Sequence, residues 1–193
     1  GIHDLGFWQA VPNLTVMQPM DGDELEAMLE WAVNAKKPCV IRYPRSKATT
    51  IQADKEKTTV EEARACLMRD GTDVALFCLG REVATGLEVA DKLQEQNVSA
   101  AVVNARFVQP LDTGMLKQYA ARMPVATIED HCIDGGLGTR VAALLAGTPE
   151  VKLMRFGWPT DQVIPFGTVN GLRKQFKLDP ESIAKQIAAT IHC

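Results

Sequence analysis

The 193-residue sequence has no Cys-x-x-Cys pair, no broad basic stretch and no apolar run approaching the roughly 18 residues that a membrane-spanning helix needs. Its five cysteines, Cys39, Cys66, Cys78, Cys132 and Cys193, are odd in number. Three lie in apolar strand-like runs, where a thiol acts as a small hydrophobe, which fits a reduced, cytoplasmic compartment. The start of the chain lacks the basic-then-apolar form of a signal peptide. A net charge of −3, with Lys36-Lys37 and Arg173-Lys174 as the longest basic clusters, gives no field for nucleic acid or an anionic membrane surface, and neither partner is expected. There is no Gly-x-Gly-x-x-Gly and no P-loop. His3, His131 and His192 are too scattered for a metal constellation, and Trp8, Trp31 and Trp158 are too far apart for a base-stacking platform.

What remains is an ordinary globular composition, 46% hydrophobic and 23% charged, with strands and helices in alternation. Leu14–Met17 reads as a strand. Asp21 caps a following helix, with Glu24 three residues on as a capping box and Leu25, Met28, Leu29 and Ala32 as the buried face. Cys39–Tyr43 reads as the next strand, completing a βαβ unit too small to close a sheet, so the chain is expected to begin inside a domain. Residues 46–60 hold few apolar side chains and many charges, which predicts an interdomain linker.

From residue 61 onward the pattern is that of a complete α/β domain. Strands are predicted around Ala63–Met68, Val74–Leu79, Ala100–Asn104, Val125–Ile128 and Val151–Met154. Helices are predicted over Glu82–Gln96, from the Asp112 cap to Arg122, through Val141–Leu145, and from Asp179-Pro180 with Ile183, Ile187 and Ile191 aligned.

Two places carry candidate chemistry. Arg42-Tyr43-Pro44-Arg45 stands where a buried strand reaches the surface, the end at which open α/β sheets take ligands. Guanidinium forks match phosphate and Pro44 stiffens the backbone between them, while ion pairs with surface carboxylates are the structural alternative. Glu129-Asp130-His131 is followed by Gly135-Gly136-Leu137-Gly138 at a strand-to-helix junction. Backbone N–H groups there can hold an anion and His131 near Glu129 can carry protons, but the glycines are also explained by a tight turn and close packing. Asp21-Gly22-Asp23 resembles a cation site and is better read as a helix cap.

The order of motifs is familiar. Gly1-Ile2-His3-Asp4-Leu5, Val11-Pro12-Asn13, Asp23-Glu24-Leu25, Arg42-Tyr43-Pro44-Arg45, Arg106-Phe107-Val108-Gln109-Pro110-Leu111-Asp112, Glu129-Asp130-His131 with the glycine run, and Ile164-Pro165-Phe166-Gly167 resemble the C-terminal part of the deoxyxylulose-phosphate synthases. These form a branch of the transketolase-like, thiamine-diphosphate-dependent family. The resemblance implies an α/β fold in which residues 1–45 are a βαβ remnant of a pyrimidine-binding domain. Residues 46–60 are then a linker, and 61–193 a transketolase C-terminal-like three-layer α/β/α domain. It implies a cytoplasmic transferase, a homodimer, that uses thiamine diphosphate and Mg2+ to join pyruvate to glyceraldehyde 3-phosphate at the entry to isoprenoid synthesis, with the cofactor's electron sink carrying the chemistry.

By motif position the resemblance assigns Arg45 a contact to the acceptor's phosphate and leaves Arg42 structural. Ser46 replaces the family's glycine, and His3 stands where the family commonly has Phe, so the pocket rim is expected to differ. The sequence has no Gly-Asp-Gly metal and diphosphate motif, no glutamate assignable to the aminopyrimidine and no Thr-His segment ahead of Gly1. No cofactor is therefore expected on this chain alone, which would need the enzyme's N-terminal domains as a partner. The rival readings are the corresponding part of a transketolase or of a 2-oxo-acid dehydrogenase β subunit, and a non-catalytic module with Trp158-Pro159 and Phe166 as exposed anchors.

Overall fold

The computed structural model describes residues 2–45, 50–51, 59–148 and 151–191. Two sheets organise it. The smaller has strand order β2-β1-β6, from β1 (Thr15–Met17), β2 (Cys39–Ile41) and β6 (Phe107–Gln109). The βαβ unit is present, with α2 (Gly22–Asn34) connecting parallel β1 and β2. The third strand comes from far along the chain and pairs antiparallel with β1.

The larger sheet has order β3-β5-β4-β7-β8, from β3 (Cys66–Arg69), β4 (Val74–Cys78), β5 (Ala100–Asn104), β7 (Val125–Cys132) and β8 (Leu153–Trp158). All neighbours are parallel except β3, which runs antiparallel to β5. Its central strands β4, β5 and β7 are buried on both faces, and their period-two alternation divides the core. Ala75, Phe77 and Leu79 point to the side shared with α4 (Thr113–Ala120), α5 (Leu137–Leu145) and the leading unit. Val74, Leu76 and Cys78 point to the side covered by α3 (Glu82–Gln94) and α7 (Pro180–Ile191). The result is the three-layer α/β/α arrangement.

Besides β6, which the sequence reading lacked, three elements differ from it. A short helix, α1 (Asp4–Gln9), precedes β1, and another, α6 (Val169–Gln175), precedes α7. Strand β8 begins at Leu153 and runs on to Trp158, where the sequence reading had Val151–Met154. Only Met28 of the predicted apolar face of α2 is fully buried, and Leu29 is exposed. The helix instead turns Glu24 inward, at 0% exposure, onto Arg106. Two hydrogen bonds from Asn104 Nδ2 (2.9 and 3.0 Å), one from Arg106 Nε (2.6 Å) and one from the Met20 N–H (2.7 Å) satisfy its carboxylate. A charge removed from water is tolerated only when so fully bonded, and these bonds tie the small sheet to the large one. The capping box is thus displaced: Asp21 caps the Glu24 N–H as predicted, but Glu24 returns to Met20.

Most of the predicted linker lies outside the described residues. Of those described, Ile51 and Val60 pack against the core clusters, and the Thr59 carbonyl accepts from Arg106 Nη1.

Candidate functional site

The two motif regions singled out in the sequence meet at the carboxyl ends of β1, β2 and β7. Arg42 follows β2 directly. Its backbone N–H bonds Met17 O at 2.9 Å, its Nε reaches both carboxylate oxygens of Asp4 (3.1 and 3.0 Å), Nη1 donates to Gln18 Oε1 (3.0 Å) and Nη2 to the Asp130 carbonyl (3.0 Å). One guanidinium therefore ties α1, the end of β1 and the end of β7 together, the structural role assigned to it. Three residues on, Arg45 is exposed and makes no hydrogen bond or ion pair among the described residues. Ser46 and His192 lie outside those residues.

Glu129, Asp130 and His131 sit in a register irregularity of β7 between Ile128 and Cys132, which re-aims their side chains at the sheet's end. The anion that the α5 N-terminus holds is internal. Glu129 accepts from the Leu137 and Gly138 N–H groups at 2.7 and 2.8 Å. A Cβ on Gly136 would fall 1.9 Å from Glu129 Oε2 and 2.9 Å from His131 Nδ1, so glycine is required there for close approach. Burial raises the Glu129 carboxyl to about 7, against the pull of the two N–H bonds, Arg155 and Arg42.

Asp130 accepts from Trp158 Nε1 at 2.8 Å and lies 4.0 Å from Arg173, whose other partners are Glu82 and Thr85. Trp158 is only 5% exposed and stacks edge-on with Phe176, so it is no exposed anchor; its indole N–H is used internally. Phe166 is fully exposed. His3 rests against Cys132, its Nδ1 3.0 Å from Sγ, and burial raises the Cys132 thiol, which keeps it protonated.

The crevice where open sheets usually take a ligand, between β4 and β7 where strand order reverses, is filled. Gly80, at φ 60°, admits the Gln18 side chain so closely that a Cβ would lie 2.3 Å from its Nε2, and Met20 enters the core beside it. Among the described residues no three His, Cys, Asp or Glu side chains gather as a metal site, and no helix is long and apolar enough to cross a membrane. Among the described residues at this end of the molecule, Arg45 carries a charge without a partner. Sequence reasoning missed the internal clamp from Asp4 and Gln18; their partners lie 38 and 24 positions away, beyond any local pattern.

A βαβ unit joined to a three-layer domain through an internal carboxylate at the helix terminus has counterparts. The chain matches the transketolase C-terminal domain over residues 63–183 and the transketolase pyrimidine binding domain over residues 1–50, and it belongs to the transketolase family. Within that family it is similar to 1-deoxy-D-xylulose-5-phosphate synthases. It is 37% identical over 188 residues to that of Methylacidiphilum infernorum, covering 96% of this chain and 30% of the relative. It is 36% identical over 187 residues to that of Heliobacterium modesticaldum, covering 96% and 29%. The chain thus spans about 30% of the length of these curated relatives. Among solved structures, a split gene transketolase described as an inactive β4 tetramer superposes with a TM-score of 0.90 at 25% identity, over all of this chain and 62% of that one. A transketolase variant from Pichia stipitis gives 0.75 at 20% identity, over all of this chain and 27% of that one, which is likeness of fold.

Proposed function

We propose that this chain is the C-terminal part of a thiamine-diphosphate-dependent synthase. The complete enzyme condenses pyruvate with glyceraldehyde 3-phosphate, giving 1-deoxy-D-xylulose 5-phosphate and carbon dioxide. The observation that carries the reading is the similarity to such synthases at 37% identity over nearly the whole chain. Residues 1–45 contribute the end of the pyrimidine-binding domain, 46–60 the linker and 61–193 the C-terminal domain. Arg45 grips the acceptor's phosphate. Its guanidinium is exposed and uncommitted at the end of β2 while its neighbour Arg42 is fully bonded, and a free planar fork suits a phosphate dianion.

The described residues do not fit thiamine diphosphate or Mg2+. The N–H pair at the α5 terminus, the natural diphosphate cradle, is taken by Glu129; the buried Glu24 and Glu82 are held by arginines, and the buried Asp112 by the Ala65 and Met115 N–H groups. In this proposal cofactor and metal belong to the enzyme's N-terminal domains, within a homodimer that covers the exposed Leu29, Val33 and Tyr43 side chains.

Reconstitution tests the reading. The 193-residue chain alone should release no carbon dioxide from pyruvate, and mixing with a polypeptide carrying the missing domains should restore release that depends on glyceraldehyde 3-phosphate. Turnover by the chain alone would refute it. Transfer from a ketose phosphate without use of pyruvate would support instead the transketolase reading that the split gene likeness favours. Association without turnover would support a binding module.

A further inference from the structure

Helix α1 is capped from a distance. Its N-cap residue, His3, makes no side-chain cap bond, and the first N–H groups of any helix lack intrahelical partners. One of these, the Leu5 N–H, donates instead to His131 Nε2 at 3.1 Å, across 126 positions of sequence. The other ring nitrogen, Nδ1, lies 2.8 Å from the Cys132 carbonyl. A carbonyl only accepts and an N–H only donates, so both bonds form together only when the ring is neutral with its proton on Nδ1. Around this contact the leading segment lies against the end of β7 and the loop beyond. Cys132 N–H donates to Ile2 O at 2.8 Å, Gln9 Nε2 to Gly135 O at 2.6 Å, and the Leu5 side chain is fully buried.

We infer that His131 is a proton-sensitive latch: as a neutral acceptor it docks α1 on the large sheet, and protonation of Nε2 removes the acceptor and loosens the helix. A proton on Nε2 turns an acceptor into a donor facing the Leu5 N–H in a buried site, so the Leu5 N–H loses its acceptor, and a buried donor without a partner is costly. The charged groups around the ring come from every element packed there. Asp4 of α1 has Oδ1 4.0 Å from Nε2, and the His3 carbonyl also faces the ring. Arg42 approaches from the end of β2 and holds Asp4 in a two-oxygen pair, so Asp4 would have to leave Arg42 to meet an imidazolium. Glu129 of β7 comes near Nδ1 at Gly136, and the Cys132 thiol points to His3.

Burial and Arg42 lower the ring's affinity for protons below the usual 6.5, while the Cys132 and His3 carbonyls and Asp4 oppose them. With the docked-state value depressed, docking is favoured above pH 6.5 and is lost as pH falls from there towards that lower value.

Residue-resolved amide exchange on the full chain tests the latch at about pH 7.5 and about pH 5.5, corrected for intrinsic rates, with His131→Gln, which retains an acceptor that does not titrate, as the reference. The protection of Leu5 in the natural chain relative to that in His131→Gln should fall by up to about tenfold per pH unit below 6.5. An unchanged ratio, or a greater fall in His131→Gln, would overturn the inference. If that variant fails to fold, ring nitrogen shifts in the natural chain decide: a proton on Nδ1 at neutral pH supports the latch, and one on Nε2 rules it out.

Discussion

Glu129 and Gly136 are each constrained by the other. Alanine at Gly136 would place a methyl 1.9 Å from the Glu129 carboxylate, and the overlap should cost roughly 1–3 kcal/mol in urea unfolding. Glu129 itself has an unusual linkage. Its folded-state value of about 7 exceeds the ordinary 4.5, so between those values the native state binds a proton that the unfolded chain does not. Lowering pH through that window therefore stabilises the fold through this group, by roughly 3 kcal/mol in all. His131 acts with the opposite sign, so the test is a difference: the stability of the natural chain relative to Glu129→Gln should rise as pH falls from 7 to 4.5. A flat difference would mean that the carboxylate is not held in a desolvated site.

At the level of elements, the buried pair of Glu24 and Arg106 joins α2 to the turn between β5 and β6. Glu24→Ala removes the carboxylate bonded to Arg106 Nε at a site where the arginine is only 4% exposed, and should cost roughly 3–5 kcal/mol by denaturant titration. The same pair shows where the sequence was opaque. Periodicity pointed the helix at Leu25 and Leu29, because an inward glutamate becomes reasonable only once Arg106 is known to lie opposite. Strands β4 and β5 were legible because their buried residues, Val74–Cys78 and Ala100–Val103, read as apolar runs. Strand β6 was not, since its three residues find their partner about 90 positions earlier, and neither was α1, whose six residues bury only Leu5 and borrow their cap from His131. The Arg42 to Arg45 motif was placed correctly at a strand's end, but nothing local could name Asp4, Gln18 and Asp130 as the groups that fix Arg42.

As a whole molecule, the leading unit is bound to the larger domain by a shared strand, by Glu24 and by the Arg42 clamp. Denaturant unfolding followed by tryptophan fluorescence and by far-ultraviolet dichroism should therefore give coincident transitions; an early loss of the Trp31 environment alone would show the small sheet melting separately. Gln18 and Met20 fill the β4–β7 crevice, and the proposed phosphate contact lies instead at the surface at the end of β2. The most direct test of that assignment is Arg45→Gln in the enzyme reconstituted with its N-terminal domains. Loss of a charged phosphate contact, roughly 1.5–3 kcal/mol, should raise KM for glyceraldehyde 3-phosphate about tenfold or more while leaving that for pyruvate unchanged. An unchanged KM for the triose phosphate would contradict it.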